Sequence, residues 1–250
     1  MHSVLVYHTI DEVEGQSTCP EMISPARFEQ QLDWLSRRRR QVVPLIETLS
    51  SKNSLVALTF DDGYQDNLTT ALPLLEKYSM PATVFVVAGF IDRDNYLAEA
   101  ELRELAKHPL VTIGSHGLWH HNFNELSAAE ARVELSESRR ALESITGAPV
   151  TLMAWPYGEC SAHLEQLSAE CGYDASWSVW QGTNGRHSRW RVPLGSQDNL
   201  IRFVAKVSGV YALTEAKRHR YQERKRVRRA SSRRDAEPAC GYARLTAEGE

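Results

Sequence analysis

The chain has 250 residues, a length that suits one large domain. Apolar residues make up 42% of the sequence, enough for a packed core, but no apolar run is long enough to predict a membrane-spanning helix. The formal net charge of −3 is unevenly distributed, since the first 216 residues carry −9 and the last 34 carry +6. Because the first 216 residues are net negative, they lack the positive field typical of nucleic-acid enzymes, and we expect no nucleic-acid partner.

The start of the chain and its cysteines predict a cytoplasmic protein. Residues 1–8 contain neither a basic segment nor a long apolar stretch, so we expect no cleavable signal peptide. Four cysteines are scattered without a Cys-x-x-Cys pair, which indicates reduced thiols and no zinc knuckle; they are Cys19, Cys160, Cys171 and Cys240.

Short apolar runs alternate with helical patterns. Helices are predicted over Ala26–Arg38, over Asn67–Tyr78 and from Ser127 to Ile145, the last opened by a Ser-x-x-Glu capping box. Several strand candidates are continuous apolar runs, which is typical of strands buried on both faces of a parallel sheet. The predicted strands are Val4–Tyr7, Gln41–Pro44, Leu55–Phe60, Ala82–Val87, Val111–Gly114, Val150–Ala154 and Ala175–Val179.

Seven strands with intervening helices predict a parallel α/β fold, although the pattern does not distinguish a barrel from an open sheet. In both architectures the chemistry gathers at the carboxyl ends of the strands. Polar groups follow four of the predicted strands, at His8, Asp61-Asp62, Ser115-His116 and Trp155-Pro156-Tyr157.

The pattern ends near residue 216, so we assign 1–215 to the catalytic domain and 216–250 to a basic C-terminal tail. Ten lysines and arginines fall between residues 217 and 234. Such a charge run favours a solvated helix or a flexible tail. The alternative is a polybasic patch that makes peripheral contact with an anionic membrane surface, which would be the inner face of the membrane for a cytoplasmic protein.

Two adjacent carboxylates, Asp61 and Asp62, follow the predicted strand Leu55–Phe60. Like charges in a low dielectric raise one pKa sharply, and a cation beside them removes that cost. Consecutive strand residues point to opposite faces, but a turn at Gly63 could bring both side chains to one site. One aspartate could then bind a metal while the other stays free as a base. A strand-ending turn without chemistry explains the pair equally well.

Three histidines lie within six residues, at His116, His120 and His121. His116 and His120 are four residues apart, so one helical turn would place both on one face. Imidazoles beside a carboxylate are typical ligands of Zn²⁺ and similar divalent ions. Asp62, His116 and His120 would leave a fourth position to water, as in catalytic zinc sites, with His121 as the competing ligand.

A third motif, Trp155-Pro156-Tyr157-Gly158, ends the strand Val150–Ala154. It would present backbone amides and an aromatic wall on which a sugar could stack. A backbone N–H there could stabilise an oxyanion. Taken alone, the motif favours a simple strand terminator.

In this order, the motifs resemble those of the polysaccharide deacetylase family, the NodB-homology or carbohydrate esterase family 4 domain. Thr59–Gly63 matches its first motif, and His116–His120 resembles the second, with Gly117 where a hydroxyl residue is usual. Ala154–Gly158 is similar to the Ala-Tyr-Pro-Tyr-Gly form of the third.

The early Tyr7-His8 and the later Arg191-Val192-Pro193 are similar to a branch of that family that includes biofilm poly-N-acetylglucosamine deacetylases. The resemblance covers roughly residues 3–195. It implies a distorted (β/α)7 barrel and the metal-dependent removal of an N-acetyl group from an amino sugar.

The resemblance also implies a role for individual residues. Asp62, His116 and His120 would bind the metal, Asp61 would be the general base, and the backbone N–H of Tyr157 would stabilise the oxyanion. Zn²⁺ is the default metal for such ligands, and Co²⁺, Ni²⁺ or Mn²⁺ would fit the same set.

Two positions depart from the more common pattern of the family. No convincing Leu-x-x-His, which carries the general acid, follows Pro193, so His8 is our candidate acid. The common third motif begins with an arginine that pairs with the base, whereas position 154 is alanine. Arg191 is our candidate for that arginine.

We therefore expect a metal-dependent deacetylase that acts on an N-acetylated sugar of a glycan or of a lipid-linked glycan precursor. A deformylase, or another hydrolase of non-peptide amides, would use the same site. The third candidate is a catalytically silent glycan-binding protein. The absence of the motif arginine and the absence of the late histidine favour it. The intact Asp61-Asp62 pair opposes it, because unused buried carboxylates are costly to retain.

Overall fold

The computed structural model describes residues 2–12, 19–179 and 183–209. The predicted basic tail, 216–250, lies outside these residues. Within the described ranges, the search for a helix with the length and apolarity to span a membrane found none.

The described residues contain a single parallel sheet of eight strands surrounded by helices. The strands are β1 (Ser3–Tyr7), β2 (Val56–Phe60), β3 (Ala82–Val86), β4 (Val111–Ser115), β5 (Leu152–Ala154), β6 (Ala175–Ser178), β7 (Arg189–Trp190) and β8 (Val192–Pro193). The helices are α1 (Pro25–Arg37), α2 (Leu72–Tyr78), α3 (Glu99–Leu105), α4 (Ala128–Thr146), α5 (Ala162–Glu170) and α6 (Leu200–Val207).

The last two strands close the sheet into a barrel. The strand order is β7-β6-β5-β4-β3-β2-β1-β8, and a single residue, Arg191, separates β7 from β8. The segment 189–193 therefore pairs with β6 on one side and with β1 on the other. It acts as one seventh strand, which confirms the distorted (β/α)7 barrel.

Burial explains why the strands read as apolar runs. Every residue of β1, β2 and β3 is buried, as expected for strands with a packed barrel interior on one face and helices on the other. The helices pack as neighbours around the outside, and α6 returns to α1. Aromatic rings join β1 and β2 to α1, with Tyr7 5.1 Å from Phe28 and 5.3 Å from Phe60.

Two helix starts agree with the sequence. Pro25 begins α1 directly after Ser24. The predicted capping box before α4 is confirmed, because Ser127 accepts from the N–H of Glu130 while the Glu130 carboxylate accepts from the N–H of Ser127. Gly147 ends this helix in the left-handed conformation, with φ +68°.

At three points the structure differs from what the sequence led us to expect. Gln41–Pro44 is not a strand, because only Val42 forms a bridge to β2. The closing segment 189–193 was missed, since its two arginines interrupt the apolar pattern. The expectation of reduced thiols holds for Cys160 and Cys171 but not for Cys19, which is disulfide-bonded.

Because all the strands are parallel, their carboxyl ends meet at one edge of the barrel. His8 follows β1, Asp61 follows β2 and His116 follows β4. Trp155 follows β5, and Arg191 lies within the closing segment. Residues far apart in sequence are thereby brought to one end of the barrel, where parallel α/β folds place their chemistry.

Gly114 in β4 leaves room for the ring of Phe85 in β3, and we expect Gly114→Ala to destabilise the barrel. An added Cβ would lie 2.4 Å from a ring carbon of Phe85, which is fully buried. Overpacking of this kind costs about 1–3 kcal/mol, measurable by urea denaturation. Thr112→Val at an exposed position of the same strand is the control, with an expected change below about 0.5 kcal/mol. Equal effects of the two substitutions would refute this account of the packing.

Candidate active site

The turn after β2 separates the two aspartates. Asp61 extends the strand pairing, since its N–H donates to the carbonyl of Tyr7 at 2.9 Å. The chain then bends through Asp62 and Gly63 in the left-handed conformation, with φ of +72° and +79°. Both carboxylates consequently lie at the carboxyl end of β2 with different neighbours.

Asp61 forms a buried, two-pronged ion pair with Arg191. Nη1 and Nη2 of Arg191 each donate to one carboxylate oxygen of Asp61 at 2.7 Å, and Nη1 also contacts the hydroxyl of Thr59 at 3.2 Å. Burial by itself raises the pKa of Asp61, but the guanidinium and the nearby His116 outweigh it and hold that pKa below its usual value. Asp61 is therefore ionised and rigidly held.

The orientation of His116 leaves one ring nitrogen free to bind a cation. Nδ1 lies 2.8 Å from the carbonyl oxygen of Ala154, and a carbonyl only accepts, so the ring proton belongs on Nδ1. Burial lowers the pKa of His116 to about 4, which keeps the ring neutral. The lone pair of Nε2 then points towards Asp62 Oδ1, 3.5 Å away.

His120 reaches the same oxygen from a loop, with Nε2 3.4 Å from Asp62 Oδ1. The prediction that one helical turn would align His116 and His120 is wrong, because residues 116–122 form no helix. The left-handed backbone of His120, with φ +59°, aligns its ring with that of His116 instead. His121 points away from the cluster, with Nδ1 2.9 Å from Glu134 Oε1.

Asp62, His116 and His120 fit a divalent cation. One ligand atom from each lies within 4.8 Å of the others. Asp62 Oδ1 is buried and has no hydrogen-bond donor among the described residues, although burying an acceptor without a partner is costly. A cation among these atoms would satisfy that oxygen and the facing ring nitrogen. Three protein ligands of this type leave a further coordination position open, as in catalytic zinc sites.

Three non-glycine residues with a left-handed backbone meet at this site. They are Asp62, His120 and Tyr157, with φ of +72°, +59° and +59°. Each such conformation costs on the order of 1 kcal/mol, and strained residues of this kind cluster at functional sites.

The motif after β5 contributes one exposed aromatic ring. The Tyr157 side chain is 60% exposed, and its ring centroid lies 4.7 Å from that of His120. Trp155 is fully buried and donates from its indole N–H to the carbonyl of His187 at 2.9 Å. The predicted aromatic wall therefore consists of Tyr157, and Trp155 belongs to the core.

His8 lies at the same end of the barrel, directly after β1. It is partly buried, and its Nδ1 has no hydrogen-bond partner in the part of the chain that the structure describes. A positive charge on His8 is among the smaller causes that lower the pKa of Asp61 and of Asp62.

Sequence reasoning missed one buried acidic residue next to the site, Glu134 of α4. Its carboxylate accepts hydrogen bonds from the loop that carries His120. The available signal was its place on the buried face of the helix, beside Ala131, Leu135 and Ser138.

Comparisons with known proteins agree with this fold. The family model for polysaccharide deacetylase matches residues 49–176, just over half of the chain. The chain therefore belongs to the polysaccharide deacetylase family.

Two curated relatives illustrate the match. YxkH of Bacillus subtilis (strain 168), described provisionally as a polysaccharide deacetylase, is 28% identical over 190 residues, 73% of this chain and 66% of that protein. The poly-beta-1,6-N-acetyl-D-glucosamine N-deacetylase of Staphylococcus aureus (strain MRSA252) is 28% identical over 155 residues, 54% of this chain and 53% of that protein. This chain thus spans less than two thirds of either relative.

A solved structure supports the fold. The Streptococcus pyogenes deacetylase PplD, determined in complex with acetate, superposes with a TM-score of 0.74 at 22% identity. The superposition covers 82% of this chain and 97% of PplD.

The Asp61–Arg191 pair generates a stability prediction. We expect Arg191→Met to destabilise the protein by about 3–5 kcal/mol, because it leaves a buried carboxylate without its counter-charge. Adding Asp61→Asn removes that charge and should recover most of the loss. Urea denaturation of both single variants and the double variant measures the coupling. Strictly additive losses would contradict the pairing.

Proposed function

We propose that this chain is a metal-dependent hydrolase that removes an N-acetyl group from an amino sugar of a glycan. The observation that carries the proposal is the buried Asp62 oxygen facing two imidazoles, next to an ionised Asp61. Membership of the polysaccharide deacetylase family supports it.

Asp62, His116 and His120 would hold the cation. Zn²⁺ suits two imidazoles and a carboxylate, and Co²⁺, Ni²⁺ or Mn²⁺ suit the same set. When bound, such an ion supplies Lewis acidity, which polarises an amide carbonyl and lowers the pKa of a water.

The protein's own groups would manage the protons and the developing charge. Asp61, held by Arg191, takes the proton from the attacking water. The backbone N–H of Tyr157, at the turn after β5, donates to the amide oxygen as it gains negative charge. His8 delivers a proton to the departing amine, so the sugar leaves as a free amine and the acyl group as acetate.

A small polar pocket lies among residues that follow β1 and β2, and its lining contains none of the proposed metal ligands. It is lined by hydroxyl, amide and carboxylate groups suited to sugar hydroxyls, namely Thr9, Asp11, Tyr64, Gln65, Asp66, Thr69, Thr70 and Asn95. The name of the S. aureus relative specifies a poly-N-acetylglucosamine polymer, and we propose a related β-linked N-acetylglucosamine chain here. The lipid-linked form of the substrate, contact with a membrane and a cytoplasmic location stay predictions from the sequence.

The central experiment measures acetate and free amine released from N-acetylglucosamine oligosaccharides. We expect the chelator-treated protein to be inactive and added Zn²⁺ or Co²⁺ to restore activity. N-formyl oligosaccharides are tested in parallel, because formate release in place of acetate release would favour the deformylase. Metal-loaded protein that binds these sugars without releasing either acid would refute hydrolysis and favour a silent glycan-binding protein.

Asp61→Asn separates metal binding from proton transfer. Loss of the base should lower kcat by about 10²–10⁴-fold. Metal content, measured by elemental analysis, should stay near that of the unsubstituted protein because Asp62, His116 and His120 are intact. Asp62→Asn is the matched comparison and should lose metal as well as activity. An Asp61→Asn variant with nearly full kcat would refute the assignment of the base.

A further inference from the structure

The loop between His116 and His120 makes few hydrogen bonds to itself in the described structure. Its carbonyls at Gly117 and Leu118 accept from the N–H groups of Ala88 and Gly89, at 3.1 and 2.8 Å. These contacts secure one side of the loop and leave its N–H groups on the opposite side to be satisfied by other partners.

Glu134 of α4 satisfies them. Only 4% of this residue is exposed, which is unusual for a glutamate. Its Oε2 accepts from the backbone N–H of Leu118 at 2.7 Å and of Trp119 at 3.0 Å. Hydrogen bonds from two backbone amides to one buried carboxylate are charge-assisted, and therefore strong.

The second carboxylate oxygen of Glu134 contacts His121 and not the adjacent His120. Its Oε1 lies 2.9 Å from Nδ1 of His121, whereas Nε2 of His120 lies 3.4 Å from Asp62. His121 is thereby held on the helix side of the loop. With Trp119 and His121 both fixed, the left-handed backbone of His120 directs its ring the other way.

One turn further along α4, Ser138 secures the start of the loop. Its hydroxyl lies 2.9 Å from the Ser115 hydroxyl, which accepts from the N–H of Gly117 at 3.2 Å. Residues four apart lie on one helix face, so Glu134 and Ser138 present a single surface to the loop.

We propose that Glu134 is a positioning residue that sets His120 as a metal ligand and keeps His121 out of the site. The inference rests on the proposed function, since it needs the metal site there. Removing a group that orients a metal ligand without itself binding the metal typically weakens metal affinity by about 10–100-fold.

Metal affinity tests the proposal directly. The chelator-treated protein and its variants are titrated with Zn²⁺ or Co²⁺ by calorimetry, and each Tm is recorded without added metal. We expect Glu134→Leu to raise the metal Kd by about tenfold or more, because the loop amides lose their acceptor. Glu134→Gln keeps an oxygen for those amides and should stay within about threefold of the unsubstituted protein.

Two further variants control for general effects. Glu137→Leu makes the same change on α4 at a residue that pairs only with Arg140 among the described residues, and its Kd should not change. If Glu134→Leu does not fold, Glu134→Asp carries the test, because a side chain one methylene shorter retains the charge but withdraws from the loop. It too should weaken metal binding.

The outcomes separate the two proposals. An unsubstituted protein that binds no metal would refute the proposed metal site. A protein that binds metal, with Kd unchanged in a folded Glu134→Leu or Glu134→Asp variant, would overturn the role of Glu134 alone. Equal weakening by Glu134→Gln and Glu134→Leu would overturn it as well, because the acceptor geometry would then be irrelevant.

Discussion

Two carboxylates buried side by side at the end of β2 are the constraint on which the site depends. Neither can stay ionised in a low dielectric without positive charge nearby. Asp61 obtains it from Arg191, through two hydrogen bonds of 2.7 Å. Asp62 pairs with no lysine or arginine in the described ranges and faces two imidazoles instead. The first carboxylate is thus suited to accept a proton and the second to bind a cation.

The same ion pair connects the chemistry to barrel closure. Arg191 interrupts the segment that pairs with β6 on one side and β1 on the other. Its guanidinium reaches Asp61, 130 positions earlier in the chain. A barrel that failed to close would leave Asp61 without its counter-charge, so formation of the site requires the last strand.

Local backbone strain completes the geometry. Asp62, His120 and Tyr157 all adopt left-handed conformations at the loops that meet above the barrel. Surrounding contacts hold such conformations in place: hydrogen bonds with the segment that follows β3 and with α4 hold the histidine loop on two sides. Rigid elements therefore fix the candidate ligands that lie on loops, as the proposed metal site requires.

The amino-acid sequence by itself determined much of this protein. Buried apolar runs gave most of the strands, the capping box gave the start of α4, and three short motifs gave the candidate ligands and base. These are local signals, written in residues close together in the chain. The closing strand carried no such signal, because Arg189 and Arg191 break its apolar pattern.

Only the tertiary structure decided how the candidates divide the work. It directed His121 to Glu134 rather than to the candidate metal site, buried Trp155 in the core, and gave the candidate Arg191 its two-pronged contact with Asp61. Each of these outcomes depends on contacts between elements distant in the chain, since burial and charge pairing arise only once the barrel has brought those elements together.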